Sequence, residues 1–491
     1  MTAVRMDLTA LFDAISSQNE IGVISEITKG LIEEIQPSKI AGRLGIAAAL
    51  GDPTGTAVPA LVAAGRIGDW IRVIPPGPET GAEQRQILLP AVPLVAAALF
   101  AGPAIKHGLN NQKLTLPDPL FPKDVTHPEG AWGALRDALK ARDTTTFARI
   151  LMGFYGSGTD YRDIEGSLYF AVNGNFAADG VPLLALTKAT QQLDAVEWGD
   201  RVPILLQWLI PLMVHDSAEP EGAKTVRDAI GQPEQSLDFA RVRIRIVNPD
   251  AAGTELRQRI AKGSTRDVID AIFAALKAGA NGPLIATQTC LAAAEHLENV
   301  PTDDATLSNA ALTAVRVANS ARLAVTHVQD IRVLPIIFQA ANLVNQTVTN
   351  KNNRVAQPVA NTTSSPLIGG LIEYGVLRNI ERQATVRDES GTRASLRRYT
   401  QMAFPGRSLA GTLGLVASRT DIASDANGRA MLAVQATGED YLALTLQQQA
   451  TDGISLMDAA LRVIMAQQGS QALAQQIEQT TGTALVGSNK K

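Results

Sequence analysis

The side chains able to do chemistry in this chain are few. Its five histidines are His107, His127, His215, His296 and His327. His215 stands beside Asp216, an imidazole and a carboxylate adjacent as a general base and its orienting group would be. Neighbouring residues on a helix point about 100° apart, so adjacency by itself argues against contact between the two. Tyr155, Tyr161 and Tyr169 share one stretch with Asp160, Arg162 and Asp163. Such a set can line a polar pocket or pack with its hydroxyls exposed. These three tyrosines, with His215 and Asp216, are the weak catalytic candidates. They support one functional reading, a metal-independent enzyme with a Tyr/His/Asp-lined groove between helical units.

Arginine supplies the strongest local charge. Arg378, Arg382, Arg387, Arg393, Arg397, Arg398 and Arg407 face only Glu381, Asp388 and Glu389, a local charge of +4 in a chain of net charge −4. Guanidinium forks suit phosphate and carboxylate oxygens, and Tyr374 or Tyr399 offers a ring on which a base could stack. The seven arginines are therefore the anion-binding candidates, and they support an RNA-binding, nucleoprotein-like assembly reading. The alternative is a solvated helical face or internal salt bridges. Aromatics at 4% leave little for a stacking-based single-strand binder, and 44 basic against 48 acidic residues do not describe a dedicated polyanion binder.

Other chemistry finds no motif. The histidines show neither His-x-x-x-His nor Glu-x-x-His spacing, so no local metal site is expected and no cofactor is implied. The single cysteine, Cys290, excludes an intrachain disulfide and any multi-cysteine metal site. It lies in the apolar run 284–294, as a small core residue would. Tyr155-Gly-Ser-Gly158 follows a helical pattern rather than a strand, and Gly369-Gly370 suits close helix packing better than phosphate. The Walker and nucleophile-elbow motifs are missing. The first residues run into an amphipathic helix without a secretory pattern, which makes a cytoplasmic location the expectation. Residues 87–105 carry no charge over a length that could span a membrane, yet contain Pro90, Pro93 and Pro103, and read as buried helix.

The elements that would position these residues show a long internal repeat. At a constant offset of 121, Leu135, Leu139, Phe147, Leu151 and Tyr155 fall on Leu256, Ile260, Val268, Ile272 and Leu276, and Gly158 falls on Gly279. The spacings put each set on one helical stripe, with glycine where the helix would stop. Three apolar helices start at proline, Pro90, Pro203 and Pro335, at intervals of 113 and 132 residues. Proline suits the first turn because its missing N–H would lack a partner there. His107 and His215 both follow such a helix, where an imidazolium favours the negative end of the dipole. Residues 8–35 carry a weaker copy of the helix pair.

These patterns predict an all-α chain of stacked helical repeats, α-solenoid-like, with three units of about 110–130 residues and a C-terminal helical region. The units are expected at 1–113, 131–216 and 250–346, and the C-terminal region at 366–491. Linkers are expected at 114–130, 217–249 and 347–365. At most a minor strand is expected near 240–247, where Arg241, Arg243 and Arg245 alternate with Val242, Ile244 and Ile246. Ser365-Pro366 should restart helix. In general pattern the chain resembles α-solenoid repeat proteins of the HEAT or armadillo kind, though its units exceed their period of about 40 residues. Stacked helices present extended surfaces, so the leading expectation is a binding or assembly protein whose partner is another protein or a second copy of itself. Nucleic acid is the lesser expectation, and membrane and metal are not expected.

Overall fold

The protein is seen in a computed structural model that describes residues 6–110, 116–196, 201–241, 248–301, 304–350, 372–419, 428–446, 453–467 and 470–485. Every regular element among the described residues is helical. In chain order they are α1 (Leu8–Ser16), α2 (Glu20–Ile32), α3 (Pro37–Ala49), α4 (Ala57–Ile71), α5 (Ala82–Leu88), α6 (Ala91–Phe100) and α7 (Gly102–Asn110). Then come α8 (Gly130–Lys140), α9 (Thr144–Gly156), α10 (Tyr161–Gly174), α11 (Val181–Val196), α12 (Val202–Met213), α13 (Ala223–Ile230), α14 (Pro233–Ser236) and α15 (Asp238–Arg241). They are followed by α16 (Thr254–Lys262), α17 (Thr265–Ala278), α18 (Gly282–Asn299), α19 (Ala305–His327) and α20 (Pro335–Val348). The last are α21 (Glu373–Thr385), α22 (Glu389–Gln401), α23 (Gly406–Ala417), α24 (Arg429–Leu446), α25 (Ile454–Ala466) and α26 (Ala472–Thr481).

The chain divides into two compact units. One comprises residues 1–112, 192–197 and 357–491, and the other 113–191 and 198–356. In the first, α4 is the central helix, packed by α3, α6, α23 and α24. Only Arg66 and Asp69 on it escape full burial, as expected of a helix that is apolar all round. A core poor in aromatics is closed by bringing backbones together. A Cβ at Gly411 of α23 would stand 2.7 Å from the Trp70 carbonyl oxygen, and one at Gly414 would stand 2.5 Å from Ile67 Cγ2, so only glycine allows this approach to α4. The uncharged 87–105 stretch is divided among α5, α6 and α7, with a bend of 58° between Ala82–Phe100 and Gly102–Asn110. Residues 91–98 of α6 are buried. No single described helix is long and apolar enough to cross a membrane.

In the second unit the repeat appears as two helix pairs, α8 with α9 and α16 with α17. Leu135, Leu139, Phe147 and Leu151 are buried, as are Leu256, Ile260, Val268, Ile272 and Leu276. The correspondence extends to the caps. Asp143 Oδ1 accepts the Thr146 N–H at 3.0 Å, and at the same offset Ser264 Oγ accepts the Asp267 N–H at 3.2 Å. Gly279 closes α17 at a φ of 106°, a conformation open to glycine and costly to other residues. Proline begins α20, occupies the first turn of α12 and immediately precedes α6.

Helix α20 ties this unit together through amides three residues apart. Gln339 Nε2 donates to the Ala223 carbonyl at 3.2 Å, Asn342 Nδ2 to that of Glu221 at 2.8 Å, and Asn345 Nδ2 to those of Ile260 and Gly263, each at 2.8 Å. The carbonyls of Glu221 and Gly263 lie in turns and that of Ile260 in the last turn of α16, where intrahelical partners are lacking, while that of Ala223 opens α13. Between α12 and α16 the chain carries the short helices α13, α14 and α15. Of the alternating 240–247 run, Ala240 and Arg241 close α15 and the rest lies outside the described residues. Residues 351–371 do so too, including Ser365-Pro366 and Gly369-Gly370; Thr347 and Val348 complete α20.

Candidate functional site: an aromatic cleft walled by paired arginines

A spacing of four on α8 places Trp132, Arg136 and Lys140 along one helical stripe. The stripe faces α10, which contributes Phe170, Asn173 and Gly174, and these residues border a cleft of about 590 Å³. Its other walls come from Arg227 to Gln235 around α13 and α14, and from Arg332, Pro335 and Gln339 at the start of α20. Two cations cover aromatic faces there. The Arg332 guanidinium carbon lies 4.0 Å from the Trp132 ring centroid, and that of Arg136 lies 5.5 Å from the Phe170 centroid.

Each cleft arginine is fixed by carboxylates close in sequence. Arg136 Nη1 donates to Glu129 Oε2 at 2.8 Å and its Nε to Asp137 Oδ1 at 3.0 Å. Arg332 Nε lies 3.1 Å from both oxygens of Asp330, whose Oδ1 also accepts the Arg332 backbone N–H at 2.8 Å. Arg227 makes a two-pronged pair with Glu219 at 2.6 and 2.8 Å. The hydrogen bonds from Asp330 raise the Arg332 pKa further; for Arg136, partial burial opposes the same effect from Glu129 and Asp137 and is outweighed. Asp137 is itself held below the usual aspartate range, since its bonds to Arg136 and His127 overcome partial burial. His127 Nε2 stands 3.2 Å from Asp137 Oδ2 while Nδ1 accepts the Glu129 N–H at 3.1 Å. Both ring nitrogens are thus engaged within the protein.

Polar acceptors remain in the wall. Asn173 and Gln339 use their amide nitrogens on the carbonyls of Arg332 and Ala223, at 3.2 Å each. Their oxygens, Asn173 Oδ1 and Gln339 Oε1, are buried without a hydrogen-bond partner. A buried acceptor left unmade costs about 1–3 kcal/mol, so these two amides hold α10 and α20 together at some expense. The walls thus offer aromatic surface and balanced charge, and the lining contains neither histidine nor cysteine.

The residues singled out by sequence lie elsewhere. His215 Nε2 pairs with Asp179 Oδ2 at 3.0 Å, across the turn after α12, and Asp216 pairs with Arg142 at 2.6 Å, so the adjacent residues face different partners. His107 falls in the last turn of α7 and is exposed. Tyr155 is half-buried on α9, whereas Tyr161 and Tyr169 are buried on α10 around Glu165. Glu165 accepts from Arg162 at 2.8 Å and from Thr190 Oγ1 at 2.9 Å, and the Tyr161 hydroxyl lies 3.3 Å from Thr190 Oγ1. Burial and the Glu165 charge push the Tyr169 phenol well above its ordinary range. Among the described residues no group of three or more His, Cys, Asp or Glu is arranged to hold a metal ion.

The arginine-rich region separates by burial. Arg393 is buried between Glu389 at 3.1 Å and Asp458 at 3.7 Å, and Arg378 reaches Glu381 at 3.5 Å. Arg382, Arg397 and Arg407 are exposed, while Arg387 and Arg398 are half-buried. Tyr399 is fully buried with its hydroxyl 2.9 Å from Glu373 Oε1, and the Tyr374 hydroxyl donates to Glu79. Tyr399 is thereby unavailable for base stacking. Sequence reading overlooked the cleft, although the Trp132-Arg136-Lys140 stripe is visible as a spacing of four and the α20 amides as a spacing of three within an apolar helix.

Compared with protein-family models, curated proteins and solved structures, the chain matches none.

Proposed function

We propose that the protein is a binding protein on a stacked helical scaffold, and that the cleft around Trp132 and Arg332 receives a segment of a partner protein. The observation that carries this reading is the Arg332 guanidinium 4.0 Å over Trp132, held there by Asp330. Tryptophan and arginine dominate the energetics of protein interfaces because each offers a large contact area with little remaining freedom to lose, the more so when preordered. Charge balance along the walls disfavours a highly charged ligand. Engagement of both His127 nitrogens supports binding over proton transfer.

A photo-crosslinking amino acid at Gln235, an exposed residue on the rim, tests the reading in the cell of origin. One defined adduct should form, and Arg332→Ala or Trp132→Ala should reduce it at least fivefold while circular dichroism shows the helices retained. Equal adduct yield in these folded variants, or the same adducts from a crosslinker at exposed Arg259, would reject it.

A further inference from the structure

A second cavity lies in the first unit, beneath the end of α21. It holds about 150 Å³ and is lined by Ala384, Thr385, Arg387, Val416, Arg419, Ile464, Ser470 and Gln471, with no carboxylate among them. Cavities of this order admit a benzene-sized guest when apolar; this one is walled by two guanidiniums and two hydroxyls. We propose that it binds a single tetrahedral oxyanion, a phosphate group, between Arg387, Arg419 and the N-terminus of α26.

Three independent features converge on that assignment. Arg419 is 5% exposed, and its Nη2 reaches Glu381 Oε1 at 2.8 Å. Its Nε is buried without a partner among the described residues. A buried guanidinium ordinarily satisfies its donors, so this one is short of acceptors. Arg387 donates Nη1 to the Ile464 carbonyl, near the end of α25, and is paired with no carboxylate among the described residues. Burial accordingly draws its pKa below the ordinary arginine value, the signature of a cation lacking a counter-charge. The N-cap of α26 is Gln471, whose side chain makes no capping bond, so beyond Ala472 the first turn of this ten-residue helix brings N–H groups without a side-chain cap, and the positive end of its dipole, to the cavity wall. Ser470 Oγ accepts the Ala472 N–H at 3.1 Å and keeps its own proton available for an anion.

Charge around the cavity also favours an anion. Glu381, the acid paired with Arg419, is shared: Arg419 approaches it at 2.8 Å, and Arg85 and Arg378 at 3.5 Å each. Glu79 also lies within electrostatic reach of Arg378 and Arg85, so two carboxylates meet three guanidiniums, and Arg387 adds to the positive charge that remains. The sequence window of seven arginines contained Arg387 but not Arg419, which α23 delivers from outside it.

The test is a titration of the full chain with inorganic phosphate at constant ionic strength, with chloride as the balancing anion. Saturable broadening of the phosphorus-31 resonance, with a rise in the thermal midpoint, is expected for the native chain. Arg387→Gln should weaken binding at least tenfold, and Arg387→Lys, which keeps the charge and loses the fork, should fall between. Glycerol phosphate is the second probe. Binding at least as tight as that of phosphate would identify the phosphoryl end of a larger metabolite as the occupant, and exclusion would identify the free ion; either supports the site. No saturable response from the native chain to either probe, or one unchanged in Arg387→Gln, would overturn it. Because the native titration can fail by itself, the proposal does not depend on the folding of any variant.

Discussion

Arginine is used in opposite ways in the two units. In the cleft each guanidinium has its own acid nearby in sequence, Asp330 for Arg332, Glu129 and Asp137 for Arg136, Glu219 for Arg227. Around Glu381 the arrangement is inverted, because Arg85, Arg378 and Arg419 converge on one buried carboxylate from three separate helices or turns. Local pairing fixes the direction of a side chain and leaves the surface nearly neutral. Convergent sharing knits distant parts of the chain together and leaves a surplus of positive charge. The first arrangement suits a ligand recognised by shape and hydrogen bonds, and the second suits an anion.

The largest expected effect separates the two arrangements by stability. Glu381→Gln strands three guanidiniums around a neutral amide, and loss of one partner from a buried pair costs about 3–5 kcal/mol. Asp330→Asn, at a half-exposed pair, should cost under about 1 kcal/mol. Urea denaturation, with hydrogen exchange of the α21 and α23 amides as a local readout, measures both. Equal costs would abolish the distinction between shared and local pairing.

Acid should expose the same difference. Burial pushes the Glu381 carboxyl up, but the charges of Arg419, Arg85 and Arg378 together pull it down further, leaving it below its ordinary 4.5. A group lowered by folding contributes stability that is complete above its unfolded value and is lost as the pH falls through the folded one. The native chain should therefore lose this contribution below about pH 4.5, whereas Glu381→Gln should already lack it and lose less between pH 5 and 3. Parallel stability curves for the two proteins over that interval would contradict shared pairing.

A smaller change is expected in the cleft. Arg332→Met keeps much of the stem and removes the cation from Trp132; such contacts are worth about 0.5–2 kcal/mol, and a loss of roughly 1 kcal/mol is expected. Tryptophan fluorescence should shift with it, since the indole loses the charge above its face. An unaltered spectrum would mean that the stack is not maintained in solution.

How legible each region is in sequence follows from the same contrast. The α8–α9 and α16–α17 pairs were readable because a helix records its buried face as a spacing of three or four, and because Gly279 and the prolines mark its ends for backbone reasons that hold in any fold. The Asp143 and Ser264 caps were equally local and needed only the offset of 121 to be found. Trp132 and Arg332 are 200 residues apart, and nothing in either neighbourhood records the other. Counting charges from 378 to 407 gave a surplus of +4 but missed its geometry, since Arg85 and Arg419 enter from outside while Arg393 is consumed by Glu389 and Asp458. Charge composition is additive along a chain, whereas pairing is decided by packing.

The smallest expected change in stability carries the most information about that surplus. Arg387→Gln removes a half-buried cation whose partner among the described residues is the Ile464 carbonyl. Losing that bond destabilises, while removing a charge that burial disfavours stabilises, so the two should nearly cancel, within about 0.5 kcal/mol in phosphate-free buffer. Added phosphate should then separate the proteins, because a ligand that binds only the folded chain stabilises it in proportion to the logarithm of its saturation. The native midpoint should rise with phosphate and that of Arg387→Gln should stay nearly fixed. A large loss for Arg387→Gln without phosphate would instead make the guanidinium a structural cap on α25, and the charge surplus around Glu381 would then be spent on holding helices rather than on receiving an anion.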